Sequence, residues 1–182
     1  MNLPTPEIRL SRCLLRTIRP SDAASIARHA NNRNVSRFVR DHFPYPYELA
    51  HAEAFINLIG EDQPPRCLGI EVDGEMAGGV GLILGEDIHH RSAEIGYWLG
   101  EPYWGQGIAT EAVGALVEYG FEQFDLVRVF AEVFDVNRAS ARVLEKAGFQ
   151  LEGRLRSAVC KRGQVHDAFL YARIRNSPAG QG

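Results

Sequence analysis

Apolar residues recur along the chain at two different spacings, which separate predicted helices from predicted strands. Intervals of three and four residues place apolar side chains on one face of a helix, whereas short apolar runs bounded by turn residues indicate buried strands. Helices are predicted from Pro20 to about residue 31, and over 33–40, 50–58, 106–123 and 139–147. Strands are predicted over 8–18, 66–73, 76–84, 93–99, 127–134, 149–159 and 165–174.

This order of elements predicts a mixed α/β fold. Asp73-Gly74 is a turn pair that favours a hairpin between the second and third strands. Several predicted strands follow one another without a helix between them, so most neighbouring strands should run antiparallel. We therefore expect a largely antiparallel central sheet of six to seven strands flanked by about four helices. Residues 1–176 should form a single domain, and the tail 177–182 should be disordered.

Composition and charge narrow the classes of function. Apolar residues make up 45% and charged residues 24%, close to the globular average, which disfavours fibrous or disordered structure. The net charge of −3 and pI of about 6.1 disfavour nucleic acid as the main partner. No apolar run approaches the length of a membrane span, and the N-terminus lacks the apolar stretch of a signal peptide. A cytoplasmic protein without membrane partners is predicted.

The cysteines and histidines predict no metal or disulfide chemistry. The three cysteines, Cys13, Cys67 and Cys160, are widely spaced and odd in number. Cys13 and Cys67 fall in apolar strands, where burial makes a thiol inert, so a covalent intermediate on either of them is disfavoured. The pair His89-His90 lacks the ligand spacing of a metal site.

The segment 94–110 passes from a strand to a helix through a turn that contains Gly105 and Gly107. The first N–H groups of a helix have no intrahelical partners and suit an anion such as a pyrophosphate. Three interpretations fit: a tight turn without a ligand, a dinucleotide site that uses Asp125, and a coenzyme A pyrophosphate site. The dinucleotide site is disfavoured because Thr110 takes its third small position.

Four segments resemble the GCN5-related N-acetyltransferase (GNAT) family, in its branch of ribosomal-protein N-terminal acetyltransferases. The segments are Phe43–Tyr47, Glu94–Leu99, Trp104–Ala112 and Asn137–Phe149, the last running into Glu152-Gly153-Arg154. The resemblance covers about residues 8–174. It implies an enzyme that moves an acetyl group from acetyl-CoA, as cosubstrate, to a protein N-terminus or a small amine. It also implies that the chain could form a homodimer. A CoA-binding sensor without turnover is the alternative.

The family pattern assigns a set of residues to acetyl-CoA. They are Tyr97, Trp98, Leu99, Trp104, Gly105, Gln106, Gly107, Ile108, Ala109, Thr110, Asn137 and Ser140. The loop would bind the pyrophosphate mainly through backbone N–H groups. The strand would pair with the pantetheine arm, and a bulge in it would aim one N–H at the thioester carbonyl. Asn137 would bond the arm and Ser140 would lie near the sulfur, although both also suit helix capping.

Glu94 is the preferred catalytic base. A protonated amine must lose a proton before it attacks, and a carboxylate facing the cleft could accept that proton through water. The alternatives are that Glu94 faces solvent or that it is an ion-pair partner, for example of Arg91. Ser140 is the preferred acid, because Leu144 stands where many relatives place a tyrosine. Val159 stands where some ribosomal-protein acetyltransferases carry a glutamate, so the resemblance does not strictly transfer their substrate to this chain. Three further carboxylates are weaker candidates for the base and are expected rather to cap, to form salt bridges or to contact substrate charge: Asp41, Glu152 and Asp167.

Overall fold

The computed structural model describes residues 6–60 and 62–175, which form eight strands and five α-helices. The strands are β1 (Glu7–Arg9), β2 (Leu14–Arg16), β3 (Cys67–Val72), β4 (Glu75–Leu84), β5 (Ser92–Leu99), β6 (Arg128–Phe134), β7 (Gln150–Lys161) and β8 (Gln164–Ile174). The helices are α1 (Ala23–Ala30), α2 (Arg33–Ser36), α3 (Leu49–Ile59), α4 (Ile108–Gln123) and α5 (Arg138–Lys146). The predicted tail 177–182 lies outside the described residues.

All eight strands form one sheet in the order β1-β2-β3-β4-β5-β6-β8-β7. Neighbours are antiparallel except for β5 and β6, which are parallel. The predicted mixed, largely antiparallel fold is therefore confirmed. There is one strand more than expected, because the predicted strand 8–18 turns back on itself. Leu10 N donates to Cys13 O at 2.9 Å, which makes β1 and β2 a hairpin.

The second predicted helix, 33–40, is much shorter than its pattern indicates. Helix α2 starts after Asn32, whose side chain accepts from Asn34 N, and ends at Ser36. Beyond it, Phe38 packs against Phe134 and Arg40 bonds to a strand residue. These tertiary contacts hold residues 37–40 in turns and irregular structure, against their local helical preference.

Helices cover both faces of the sheet. On one face, α4 and α5 pack on the sheet through Val113, Leu116 and Leu144, which are fully buried. Burial of each such side chain is worth about 1.5–3 kcal/mol. On the other face, α1 and α3 form a smaller apolar cluster around Ile26 and Ala52. Within the described residues, no helix is both long enough and apolar enough to cross a bilayer.

Candidate active site

The parallel strands β5 and β6 separate soon after they begin. Residues 92–94 pair with 128–130, whereas on its other side β5 stays paired with β4 as far as Leu99. The stretch 95–99 therefore has one backbone edge that no described strand covers. Unpaired N–H and C=O groups at a sheet edge can bond an extended ligand. The opening can accept a linear arm with amide groups, such as pantetheine.

The bulge expected in β5 is absent from its ladder with β4. Pairing runs without a register shift from Ala93 opposite Leu84 to Leu99 opposite Gly78. The expectation was wrong because the opening arises from the divergence of β6 rather than from an extra residue in β5. Regular alternation then aims the backbone groups of the free edge into the opening.

The loop before α4 presents free backbone donors beside the end of this opening. Gly105 and Gly107 have φ values of 74° and 81°, in the left-handed region that favours glycine. No side chain caps α4, and Glu111 N makes the first helical bond, to Gly107 O. The N–H groups of 108–110 precede that bond and meet no acceptor among the described residues. Together with the helix dipole they make this corner electrostatically suited to an anion.

Two side chains of this loop support its shape. Trp104 Nε1 donates to Leu99 O at 2.7 Å, and Gln106 Nε2 donates to Pro102 O at 2.9 Å. Both side chains are thus engaged within the loop, which leaves contact with a phosphate to the backbone. Ile108 points the other way and is buried in the core.

Arg12 also lies at this corner, and sequence reasoning missed it. A Cβ placed on Gly107 would be 3.6 Å from Arg12 Nε. Ser11 and Arg12 both bond to Glu111 in the first turn of α4. The hydrogen bond from Ser11, together with Arg12, lowers the pKa of Glu111. The ionised carboxylate holds the guanidinium beside the loop, and no local pattern could reveal contacts between such distant positions.

The start of α5 faces β5 across the opening. Asn137 caps this helix, because its Oδ1 accepts from Ser140 N at 3.2 Å. The Tyr97 hydroxyl lies 2.7 Å from Ser140 Oγ. Burial raises the pKa of Tyr97 to about 12, so its hydroxyl stays protonated. Leu144 is fully buried, and the hydroxyls brought together here are those of Tyr97 and Ser140.

Glu94 lies on the opposite face of β5. Its neighbour Ile95 belongs to the cluster under α4, so alternation turns Glu94 towards α1–α3. Both Glu94 oxygens accept from Arg40 Nη2 at 2.5 Å. The expected partner Arg91 bonds instead to Asp125, at 3.0 Å. That alternative was wrong about the partner, because Arg91 precedes the strand and lies beside the turn after α4.

Aromatic residues line the same side of β5. Phe43 packs edge-on against Trp98, with ring centroids 5.5 Å apart, and contacts Tyr47 at 4.8 Å. The motif Phe43–Tyr47 thus forms a wall beside the opening, on the face that carries Glu94.

The three weaker carboxylate candidates are engaged elsewhere. The bonds join Asp41 to Lys161, Glu152 to Arg128, and Asp167 to Arg154 and the Ser157 N–H. These hydrogen bonds lower the pKa of each carboxyl. All three are therefore poorer proton acceptors than an ordinary carboxylate.

Neither strand cysteine is poised as a nucleophile. Burial raises the pKa of Cys13 to about 11 and that of Cys67 to about 12, so both remain thiols at neutral pH. Among the described residues, no group of three or more histidine, cysteine, aspartate or glutamate side chains could hold a metal ion.

Comparison with known proteins gives these features a context. The family model of the acetyltransferase (GNAT) domain matches residues 12–150. The chain is 33% identical to the uncharacterized N-acetyltransferase YoaA of Bacillus subtilis, over 93% of this chain and 97% of that protein. It is 30% identical to the spermidine N(1)-acetyltransferase of Escherichia coli K12, over 90% of this chain and 81% of that protein.

Solved structures agree with this match. A ribosomal α-N-protein acetyltransferase, RimL, in complex with coenzyme A superposes with a TM-score of 0.80 at 26% identity, covering 93% of this chain and 98% of that one. Mycobacterium smegmatis RimJ in complex with a CoA disulfide superposes with a TM-score of 0.80 at 27% identity, covering 93% of this chain and 86% of that one. The chain therefore belongs to the GNAT family of acetyltransferases and is an acetyl-CoA-dependent N-acetyltransferase.

Proposed function

We propose that this enzyme acetylates the α-amine at the N-terminus of a peptide or protein, by direct attack of the amine on acetyl-CoA. The observation that carries the proposal is the free edge of β5 over 95–99, which begins next to Glu94 and leads towards the loop and uncapped start of α4. One extended ligand can bond both features at once. The likeness to RimL and RimJ supports a protein N-terminus as the acceptor. A homodimer, a cytoplasmic location and the absence of nucleic-acid and membrane partners stay predictions.

The residues available to bind acetyl-CoA follow the opening in order. Backbone N–H groups of 105–110 face the pyrophosphate, the free edge of 97–99 pairs with the pantetheine arm, and the Asn137 amide donates to it. The Asn137 oxygen is already used as a helix cap, but its NH₂ group remains available as a donor. When bound, acetyl-CoA supplies an activated acetyl thioester.

Glu94 receives the proton of the amine, through water. Arg40 occupies one lone pair on each Glu94 oxygen, and a carboxylate oxygen has two, so an acceptor position remains free. Once deprotonated, the amine nitrogen bonds to the acetyl carbon as the carbon–sulfur bond breaks. Backbone N–H groups on the free edge of β5 stabilise the negative charge that develops on the acetyl oxygen.

Ser140 donates a proton to the departing sulfur. The Tyr97 hydroxyl, 2.7 Å from Ser140 Oγ, orients it and stays protonated at working pH. The proton of Ser140 is then restored from water or through Tyr97. This pair performs the role that many relatives give to a tyrosine at the position of Leu144.

Thiol release from acetyl-CoA tests the acceptor. Peptides with a free N-terminal alanine or serine should be acetylated, and the same peptides with a blocked N-terminus should not, even when they contain an internal lysine. The assay includes spermidine, the acceptor named for the Escherichia coli relative. Turnover of spermidine without turnover of any peptide would contradict the proposed acceptor.

Replacing Gly107 with valine is expected to weaken acetyl-CoA binding about tenfold or more. Its φ of 81° strains a β-branched residue by about 1–3 kcal/mol, and the loop relieves this strain by moving its donors. Calorimetry measures the affinity. Gly74→Val is the matched control, because Gly74 has a φ of 83° in the β3–β4 turn and open space around it. Unaltered affinity in Gly107→Val would exclude the loop from the site.

A further inference from the structure

A small basic cavity lies on the face of the sheet that carries Glu94, between α2, the end of β6 and the β7–β8 turn. Its volume is about 280 Å³, which suits a charged group with a short stem rather than a whole coenzyme. The residues of its wall used below are Arg33, Arg37, Phe38, Phe134 and Arg162.

The three arginines of this cavity have no carboxylate partner among residues 6–60 and 62–175. The Arg37 guanidinium lies over the Phe38 ring at 4.5 Å, and Arg162 donates to Ser36 Oγ at 3.0 Å. Elsewhere in the described chain, eleven arginines lie within 3.6 Å of a carboxylate oxygen. Unpaired cations around one cavity attract an anion, and guanidinium groups bind carboxylates and phosphates with paired hydrogen bonds.

The lysine beside them is already paired. Lys161 bonds to Asp41 at 2.6 Å and to Val39 O. The His166 ring lies 3.7 Å from Asp135, which is beyond hydrogen-bond distance. The attraction for an external anion therefore comes from the three arginines.

The cavity lies within reach of the reaction centre. Phe38 packs edge-on against Phe134, with ring centroids 6.3 Å apart. Arg40, two residues after Phe38, bonds to Glu94. Glu94 pairs with Phe130, and Phe134 lies four residues further along β6 on the same face. A rise of about 3.3 Å per residue places Phe134 about 13 Å along the strand from Glu94.

We propose that this cavity binds an anionic group of the acceptor, so that the enzyme selects amines that carry a carboxylate or phosphate about 13 Å from the reactive nitrogen. The inference rests on the proposed function. In an extended peptide this distance spans about four residues, so an acidic side chain near the fourth position reaches Arg33 and Arg37. A polyamine is disfavoured, because the arginines repel its second charge.

Matched peptides with glutamate, glutamine or lysine at positions three to five test the inference through kcat/KM. The wild-type enzyme should prefer the glutamate peptide to the glutamine peptide by about tenfold, and use the lysine peptide least. In the double variant Arg33→Gln/Arg37→Gln, the ratio of kcat/KM for the glutamate peptide to kcat/KM for the glutamine peptide should fall to near one. The control Arg9→Gln, on the exposed edge strand β1, should keep the wild-type ratio. Arg37→Glu should raise the rate with the lysine peptide.

A second arm compares aminooctyl phosphate with aminooctanol, alongside spermidine. Peptide turnover without charge preference, or a preference unchanged in the double variant, would overturn the inference and keep the proposed function. Turnover of the phosphate amine alone, dependent on Arg33 and Arg37, would keep the inference and contradict the peptide acceptor. Spermidine preferred over every anionic acceptor, or no turnover in any arm, would overturn the inference.

Discussion

Replacement of Glu94 by glutamine is expected to lower kcat about 10²- to 10⁴-fold near neutral pH, the usual contribution of a general base. Glutamine has the same shape and can still accept a bond from Arg40, but it cannot take a proton. An α-amine with a pKa near 7.7–8.0 is mostly protonated at pH 7. The deficit should shrink above the pKa of the amine, since the nucleophile then loses its proton without help. Thiol release measured from pH 6.5 to 9.5 gives the profile.

Two comparison variants make this result specific. Glu53→Gln changes an exposed carboxylate on α3 and should leave the profile unchanged. Ser140→Ala should lower kcat without altering the rise in rate with pH, because Ser140 acts on the departing sulfur. A Glu94→Gln enzyme with the wild-type pH profile would remove Glu94 from the mechanism.

Replacement of Asp22 by alanine is expected to lower the free energy of unfolding by about 3–5 kcal/mol, the cost of breaking a buried ion pair. The Asp22 carboxylate accepts two bonds from Arg16, at 2.8 and 2.9 Å, and both side chains are at most 10% exposed. Loss of Asp22 leaves a buried guanidinium with Glu71 as its remaining carboxylate partner among the described residues. Urea denaturation at pH 7 measures the change.

The same pair predicts a dependence on pH. Burial raises the pKa of Asp22, but hydrogen bonds from Arg16 and from Arg19 N outweigh it and hold the pKa below its ordinary value of 3.8. Stability from Asp22 is therefore complete above the unfolded pKa and is lost as pH falls through the lower folded pKa. The wild-type protein should lose its advantage over Asp22→Ala only below about pH 4.

An exposed pair supplies the contrast. The side chains of Asp62 and Arg66, which form a salt bridge, are 40% and 47% exposed. Asp62→Ala should therefore lower the free energy of unfolding by less than about 1 kcal/mol. Equal losses in Asp22→Ala and Asp62→Ala would show that burial of the Arg16 pair contributes nothing.

Local patterns in the sequence predicted most of the fold. The apolar stripe of α4 recurs in the structure as the buried residues Ala112, Val113, Leu116 and Val117. The pair Asp73-Gly74 forms the β3–β4 turn with both φ values positive. The prediction of one strand over 8–18 was wrong at Ser11 and Arg12, which form a turn. Glu111, about one hundred positions away, holds this turn through hydrogen bonds.

The sequence by itself determined where most helices and strands form and where glycine allows a left-handed loop before α4, because periodicity and backbone conformation depend on neighbouring residues. Only the tertiary structure decided the charge and hydroxyl partners: Arg40 for Glu94, and Tyr97 for Ser140. The opening beside β5 is likewise a property of two strands that diverge, which neither strand encodes alone. Such contacts depend on which distant segments the folded chain brings together, and spacing along one sequence carries no record of that.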